Sequence, residues 1–215
     1  MNKYLKESFL WFFIVLPFIY LATIWNQLPI EVPIHFGIAG NADNWSTKLF
    51  LLFIPCSLGF GIYILMLIMP YIDPKKKIYQ MGEKYYLMRL LTTIFISALS
   101  IFILNKSNSG SMKNPTMLIA LIGGFIAIMG NYFQTVKPNY FLGIRTPWTL
   151  EDEQVWKNTH RMAGRIWMVS GILIVILSFL IKSNSSMILI FLFITIIISI
   201  IPIIYSYTEF KKLKS

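Results

Sequence analysis

The chain has 215 residues, a formal net charge of +10, a single cysteine, 56% hydrophobic residues and only 13% charged ones. A water-soluble domain carries about 25% charged residues, so a chain this apolar cannot cover a surface that faces water. Disorder needs low hydrophobicity and is excluded. A disulfide scaffold is excluded because Cys56 has no internal partner.

A helix needs about 20 apolar residues to cross a hydrocarbon core roughly 30 Å thick. Six stretches meet this, at about 8–25, 49–69, 87–104 (with Arg89 at its edge), 116–133, 165–181 and 187–207. They take more than half of the chain and leave no room for a soluble domain. Barrel strands would alternate apolar and polar residues, and 187–204 does not. The first stretch is longer than a signal-peptide core and no small-residue cleavage site follows it, so it reads as a retained span. The predicted fold class is all-α: a polytopic membrane protein with six transmembrane helices.

Loop charges give the orientation. With the N-terminus inside, the inner segments 1–7, 70–89, 134–165 and 208–215 hold fifteen Lys and Arg residues, against four outside, namely Lys48, Lys106, Lys113 and Lys182. This bias places both termini in the cytoplasm. The clusters at 75–77 and 211–214 then meet anionic headgroups of the membrane lipid, and direct nucleic-acid binding is not expected. Two units are predicted: residues 1–70, with two helices and an extracytoplasmic loop at 26–48, and residues 71–215, with four helices and a cytoplasmic loop at 134–164.

In the outer loop, Pro29 and Pro33 forbid a regular helix, and the alternation of Ile30, Val32 and Ile34 allows a short extended piece. Gly37, Gly40 and Asp43 permit tight turns. Trp25 and Trp45 suit an interfacial belt. The loop, with His35 in it, either caps the helix ends or forms a contact surface for a ligand.

Cys56 in the second span reads as a small apolar filler. Pro55 and Pro202 predict kinks within their spans. In the fourth span Gly123 and Ala127 form a small-xxx-small pair that lets another helix approach, which leaves the oligomeric state open. Asn131, at the inner end of that span, reads as satisfying a neighbouring backbone group.

In the inner loop, Pro138, Gly143 and Pro147 punctuate the chain. Thr149 reads as an N-cap with Asp152 three residues on, and Glu151, Asp152 and Glu153 favour a first helical turn. One helix from Leu150 to Ile181 is expected, with Gly164 as the place for a bend. Lys157, Arg161 and Arg165 recur every four residues as a basic stripe. That stripe either lies in headgroups or, as Arg161 with Arg145 and His160, contributes to a cytoplasmic site.

No phosphate loop, His-Glu-x-x-His helix or Gly-x-Ser-x-Gly elbow occurs. The two histidines fall on opposite membrane faces, so neither a metal nor a cofactor is expected. The span centres carry almost no ionisable residue, unlike those of a coupled transporter. The chain is not read as an enzyme. A lipid-handling reading would have to use the polar cluster of Asn131, Asn139 and His160.

Three runs carry a resemblance: Gly130-Asn131-Tyr132; Val136-Lys137-Pro138-Asn139-Tyr140-Phe141-Leu142-Gly143-Ile144-Arg145-Thr146-Pro147-Trp148-Thr149-Leu150; and Val155-Trp156-Lys157-Asn158-Thr159-His160-Arg161. Together they closely resemble the signature of the SdpI family of bacterial membrane immunity proteins. The outer run Pro33-x-His35-Phe36-Gly37, Gly40 and Asp43-x-Trp45 looks like the N-terminal domain that often precedes it. The resemblance implies a multi-pass protein of the bacterial cell membrane that protects against an SDP-type peptide toxin. As an alternative it implies a receptor that sequesters a cytoplasmic repressor when ligand binds. It points to the signature residues, among them Thr159, and to the outer-loop residues as partner-binding positions.

Overall fold

A computed structural model of the chain describes residues 2–37, 40–112 and 115–214. Ile38 and Ala39 of the outer loop, and Lys113 of the outer charge count, lie outside the described residues. The elements in order are α1 (Lys3–Ile24), β1 (Glu31–Phe36), β2 (Ala42–Thr47), a 3-10 turn (Lys48–Leu52), a π-helical stretch (Pro55–Gly61), α2 (Ile62–Ile72), α3 (Glu83–Ser109), α4 (Thr116–Phe133), α5 (Pro147–Glu151), α6 (Glu153–Leu180) and α7 (Asn184–Lys214). Among the described residues six helical segments are long and apolar enough to cross a membrane, as the hydropathy pattern predicts. Their exposed faces are rich in Leu, Ile and Phe, as a lipid-facing surface requires.

Several local expectations change. The third span is longer than predicted, because α3 continues through Asn105 to Ser109. The second span begins irregularly: Pro55 opens the π-helical stretch, in which Cys56 is exposed rather than packed as filler. Pro202 lies inside α7, which is one unbroken element. The predicted Leu150–Ile181 helix is two helices, divided at Asp152, whose φ of −125° and ψ of 124° are extended. Thr146, not Thr149, caps the first, and Asp152 caps the second. Gly164 does not interrupt α6.

The chain divides into two compact units, Met1–Met66 with Arg89–Leu118, and Leu67–Met88 with Ile119–Ser215. In the first, β1 and β2 pair antiparallel with irregular register around His35. The hairpin is anchored by Val32, which packs with Leu21, Ile24, Leu28, Leu51 and Leu104. Val32 lies outside the spans, and withdrawing its side chain from water contributes about 1.5–3 kcal/mol. Ser107 donates its hydroxyl to the Pro33 carbonyl at 3.0 Å, and Met112 N–H donates to Gly40 at 3.0 Å. Deeper in this unit, Arg89 makes a bidentate ion pair with Glu7 at 3.0 and 3.1 Å, and the Tyr63 hydroxyl donates to the same carboxylate at 2.8 Å. Both residues lie at the ends of their spans, as the sequence places them, and the span centres are not involved.

In the second unit α4 and α6 touch through small residues. A Cβ on Gly130 would lie 2.5 Å from Met168 N, and one on Gly164 would lie 2.5 Å from the Gly130 carbonyl. Gly171 faces Ala127 and Gly123 in the same way. The small-xxx-small pair is thus used inside one chain. The helices α6 and α7 pack side by side, with Ile174 and Met187 in a core shared with Ile119 of α4.

Candidate functional site

The residues from Gln134 to Asp152 form a loop folded back onto the first turns of α6. Its centre is Asn139, which is fully buried. The Asn139 carboxamide oxygen accepts from Phe141 and Leu142 N–H at 2.8 and 2.7 Å, and its amide donates to the Lys137 and Leu142 carbonyls. An asparagine side chain carries one acceptor oxygen and one two-proton donor, so this residue ties four backbone groups into one turn. Pro138 is buried beside it, whereas Lys137 and Tyr140 are exposed.

Gly143 has a φ of +100°, and a Cβ there would collide with His160 Nε2. Only glycine meets both requirements. The next residue, Ile144, donates its N–H to His160 Nε2 at 2.9 Å. The other ring nitrogen, Nδ1, lies 2.8 Å from the Trp156 carbonyl, which can only accept. His160 is therefore neutral and protonated on Nδ1, with both nitrogens engaged. Its ring stacks on Trp156 at 4.1 Å, and the buried Trp156 indole donates to the Val136 carbonyl at 2.8 Å. Trp156 and His160, one turn apart on α6, thus hold both limbs of the loop.

The loop ends in a reciprocal cap. Thr146 accepts from Thr149 N–H at 3.2 Å, and the Thr149 hydroxyl accepts from Thr146 N–H at 2.9 Å. Thr149 also donates to the Ile144 carbonyl, and Thr146 lies 3.0 Å from the Ser206 hydroxyl on α7. Pro147 stands exposed at the first position of α5, where no N–H is needed. Trp148 packs on Tyr207 at 5.0 Å. Thr159 is buried, and its hydroxyl has no partner among the described residues.

The predicted grouping of Arg145, His160 and Arg161 separates into a buried part and an exposed part. His160 is 1% exposed and serves the loop backbone. Arg145 lies on the surface, its guanidinium donating to the Tyr140 carbonyl at 2.6 Å, and Arg161 is exposed on α6. Asn131 is exposed and distinct from the buried Asn139, with no hydrogen-bond partner among the described residues, contrary to the expected backbone bond. Among the described residues no three metal-ligating side chains come together.

Sequence reasoning missed Asp73. It is buried and accepts from Lys75, Lys77 and Ile78 N–H, fixing the α2–α3 connection. That connection reaches the signature loop: Lys75 lies over the Tyr140 ring at 5.1 Å, and Lys137 donates to the Gln80 carbonyl at 3.3 Å. The dipeptide Asp73-Pro74 was the available signal, since Asp before Pro favours a side-chain-capped turn.

The hairpin residues form a second, separate group. His35 Nδ1 pairs with Asp43 Oδ1 at 2.5 Å across the two strands, and both side chains are exposed. Gly37 N–H donates to the Asn41 carbonyl at 3.0 Å, and Gly40 turns the chain with a φ of +78°. Pro33 is buried and pairs with Trp45, whose side chain is exposed.

Residues 135–206, which take in most of this loop with α6 and most of α7, match the SdpI/YfhL protein family. Residues 12–59, which contain the hairpin, match a domain of unknown function, DUF1648. The chain is similar to Immunity protein SdpI of Bacillus subtilis (strain 168), with 30% identity over 202 residues, covering 93% of each chain. No solved structure matches. Extent and identity together show that this multi-pass membrane protein belongs to the SdpI/YfhL family.

Proposed function

We propose that the chain is a membrane immunity protein of the bacterial cytoplasmic membrane, protecting its cell against an SDP-type membrane-active peptide. The observation that carries this reading is its similarity to Immunity protein SdpI across 93% of both chains. The site geometry is in keeping with it. The polar groups of Asn139, Thr149 and His160 are engaged with the loop backbone, which favours a scaffold over a catalyst. With the termini inside, the hairpin faces outward and offers His35, Asp43 and Trp45 to an arriving peptide. The test is survival of a sensitive bacterium that lacks its own immunity protein and expresses this chain, challenged with an SDP-type peptide while membrane potential is followed. Maintained potential and growth are expected. Membrane-inserted protein that gives no protection overturns the reading.

A second reading is a receptor that holds a cytoplasmic repressor at the membrane. It is favoured by Tyr140, Arg145 and Pro147, which stand exposed on a loop whose backbone is fixed. Recovery of a soluble partner in the presence of toxin, lost on Arg145→Ala, is the expected result. No Arg145-dependent partner overturns it.

A further inference from the structure

Between α6 and α7 runs an open groove of about 480 Å³, lined by Asn158, Arg161, Met162, Arg165, Ile166 and Tyr205. Its two halves differ in chemistry. Arg161 and Arg165 are exposed, and neither has a hydrogen-bond or ion-pair partner among the described residues. Four residues apart on one helix, they rise about 6 Å from one to the next and share a face. Met162 and Ile166 supply an apolar wall beside them. Glu209 on α7 stands beside the groove and accepts from Asn158, one of its lining residues. The Asn158 oxygen in turn accepts from Gln154 at 3.0 Å, and one proton of its amide goes to Glu209. Two guanidinium groups against one neighbouring carboxylate leave the groove positive, with exposed Lys157 one turn further along the same stripe.

The position of the groove limits what can fill it. The next residues along the same face of α6 are apolar, with Val169 and Leu173 exposed. The charged groove therefore opens onto a lipid-facing apolar strip. Trp167, one turn beyond Ala163, bonds its indole to the α7 backbone at the same level, where an interfacial aromatic belongs. A ligand seated here needs a negative head at the arginines and an apolar body below. Guanidinium groups bind phosphate oxygens with paired hydrogen bonds.

We infer that the α6–α7 groove is a binding site for an anionic phospholipid, its phosphate between Arg161 and Arg165 and an acyl chain along Met162 and Ile166. This does not depend on the immunity reading. The site would join the two helices in the leaflet that meets the signature loop and settle α6 at a fixed depth.

The test uses the full chain in neutral detergent, with dioleoylphosphatidylglycerol as probe and dioleoylphosphatidylcholine as comparison, read by native mass spectrometry. One phosphatidylglycerol should be retained at least ten times more strongly than phosphatidylcholine. The R161Q/R165Q double variant should lose that preference, and Lys157→Gln should keep most of it. Both arginines are exposed and unpaired, so thermal unfolding of the lipid-free double variant should match that of the parent. If it does not, the parent's preference between the two lipids still decides. Inorganic phosphate, added at the same concentration as the lipid, should displace little; full displacement would mean a phosphate site without a lipid. Equal retention of the two lipids, equal or stronger retention of dioleoylphosphatidylethanolamine, or an unchanged preference in the double variant overturns the inference.

Discussion

The indole N–H of Trp167 on α6 donates to the carbonyl of Ile198 on α7 at 3.0 Å. Ile198 stands four residues before Pro202, the place in α7 where a backbone donor is missing. The tryptophan supplies the hydrogen bond that the proline withdraws. In an apolar surrounding an unpaired carbonyl is costly, so one residue type explains the other across the helix pair.

Trp167→Phe should therefore destabilise the detergent-solubilised protein by about 1 kcal/mol, the scale of interhelical hydrogen bonds in membranes. Pro202→Ala restores the α7 donor, so the same Trp167→Phe change should cost clearly less in that background. The thermal unfolding midpoints of the four proteins in this cycle provide the check. Equal costs in the two backgrounds would break the link between Trp167 and Pro202.

The loop depends on a similar exchange between His160 and Gly143. Gly143→Ala places a methyl group against the imidazole and strains a left-handed backbone, a cost of about 1–3 kcal/mol for the backbone alone. His160→Ala leaves the partly buried Ile144 N–H without its acceptor, a cost of about 1 kcal/mol. Both variants should become sensitive to trypsin at Arg145, where the parent should resist. Cleavage of parent and variants at the same rate would show that the loop does not rest on this contact.

Part of this was legible in the sequence. The spans are long and apolar, so composition alone located them, and the two prolines at 29 and 33 excluded helix where β1 now lies. The break at Asp152 was not legible, because Asp152 fits equally well inside a first turn and at a cap; the extended backbone that decides between them follows from Thr146 capping the preceding turn. His160 looked like a site residue because a lone histidine in a polar run has two possible uses. Only the folded loop, which brings the Ile144 N–H to its ring, separates them. The Glu7–Arg89 pair is 82 positions apart, and nothing local in either segment announces its partner.

That pair makes its own prediction. Arg89→Met removes the bidentate partner of the Glu7 carboxylate, which keeps the Tyr63 hydroxyl as a donor. Breaking a buried pair on one side costs about 3–5 kcal/mol. Glu7 keeps some exposure, with 28% of its side chain accessible, so the lower end of that range is expected. E7Q/R89M removes both charges and keeps an acceptor for Tyr63, and it should regain most of the lost thermal stability. If the double variant is no more stable than Arg89→Met, the loss comes from arginine packing and not from a stranded charge.

The hairpin pair should behave in the opposite way. His35 and Asp43 are both exposed, and an exposed ion pair contributes about 0.2–1 kcal/mol. H35A/D43A should therefore leave membrane insertion and the unfolding midpoint nearly unchanged, because Val32 and its apolar neighbours hold the hairpin in place. If the exposed face of the hairpin meets the toxin, the same variant should lose protection at peptide doses that the parent survives, with membrane potential collapsing before growth stops. Growth curves and potential-sensitive dye, with protein level in the membrane as control, separate the two effects. Full protection by a normally inserted double variant would move toxin recognition away from the hairpin to another surface of the chain.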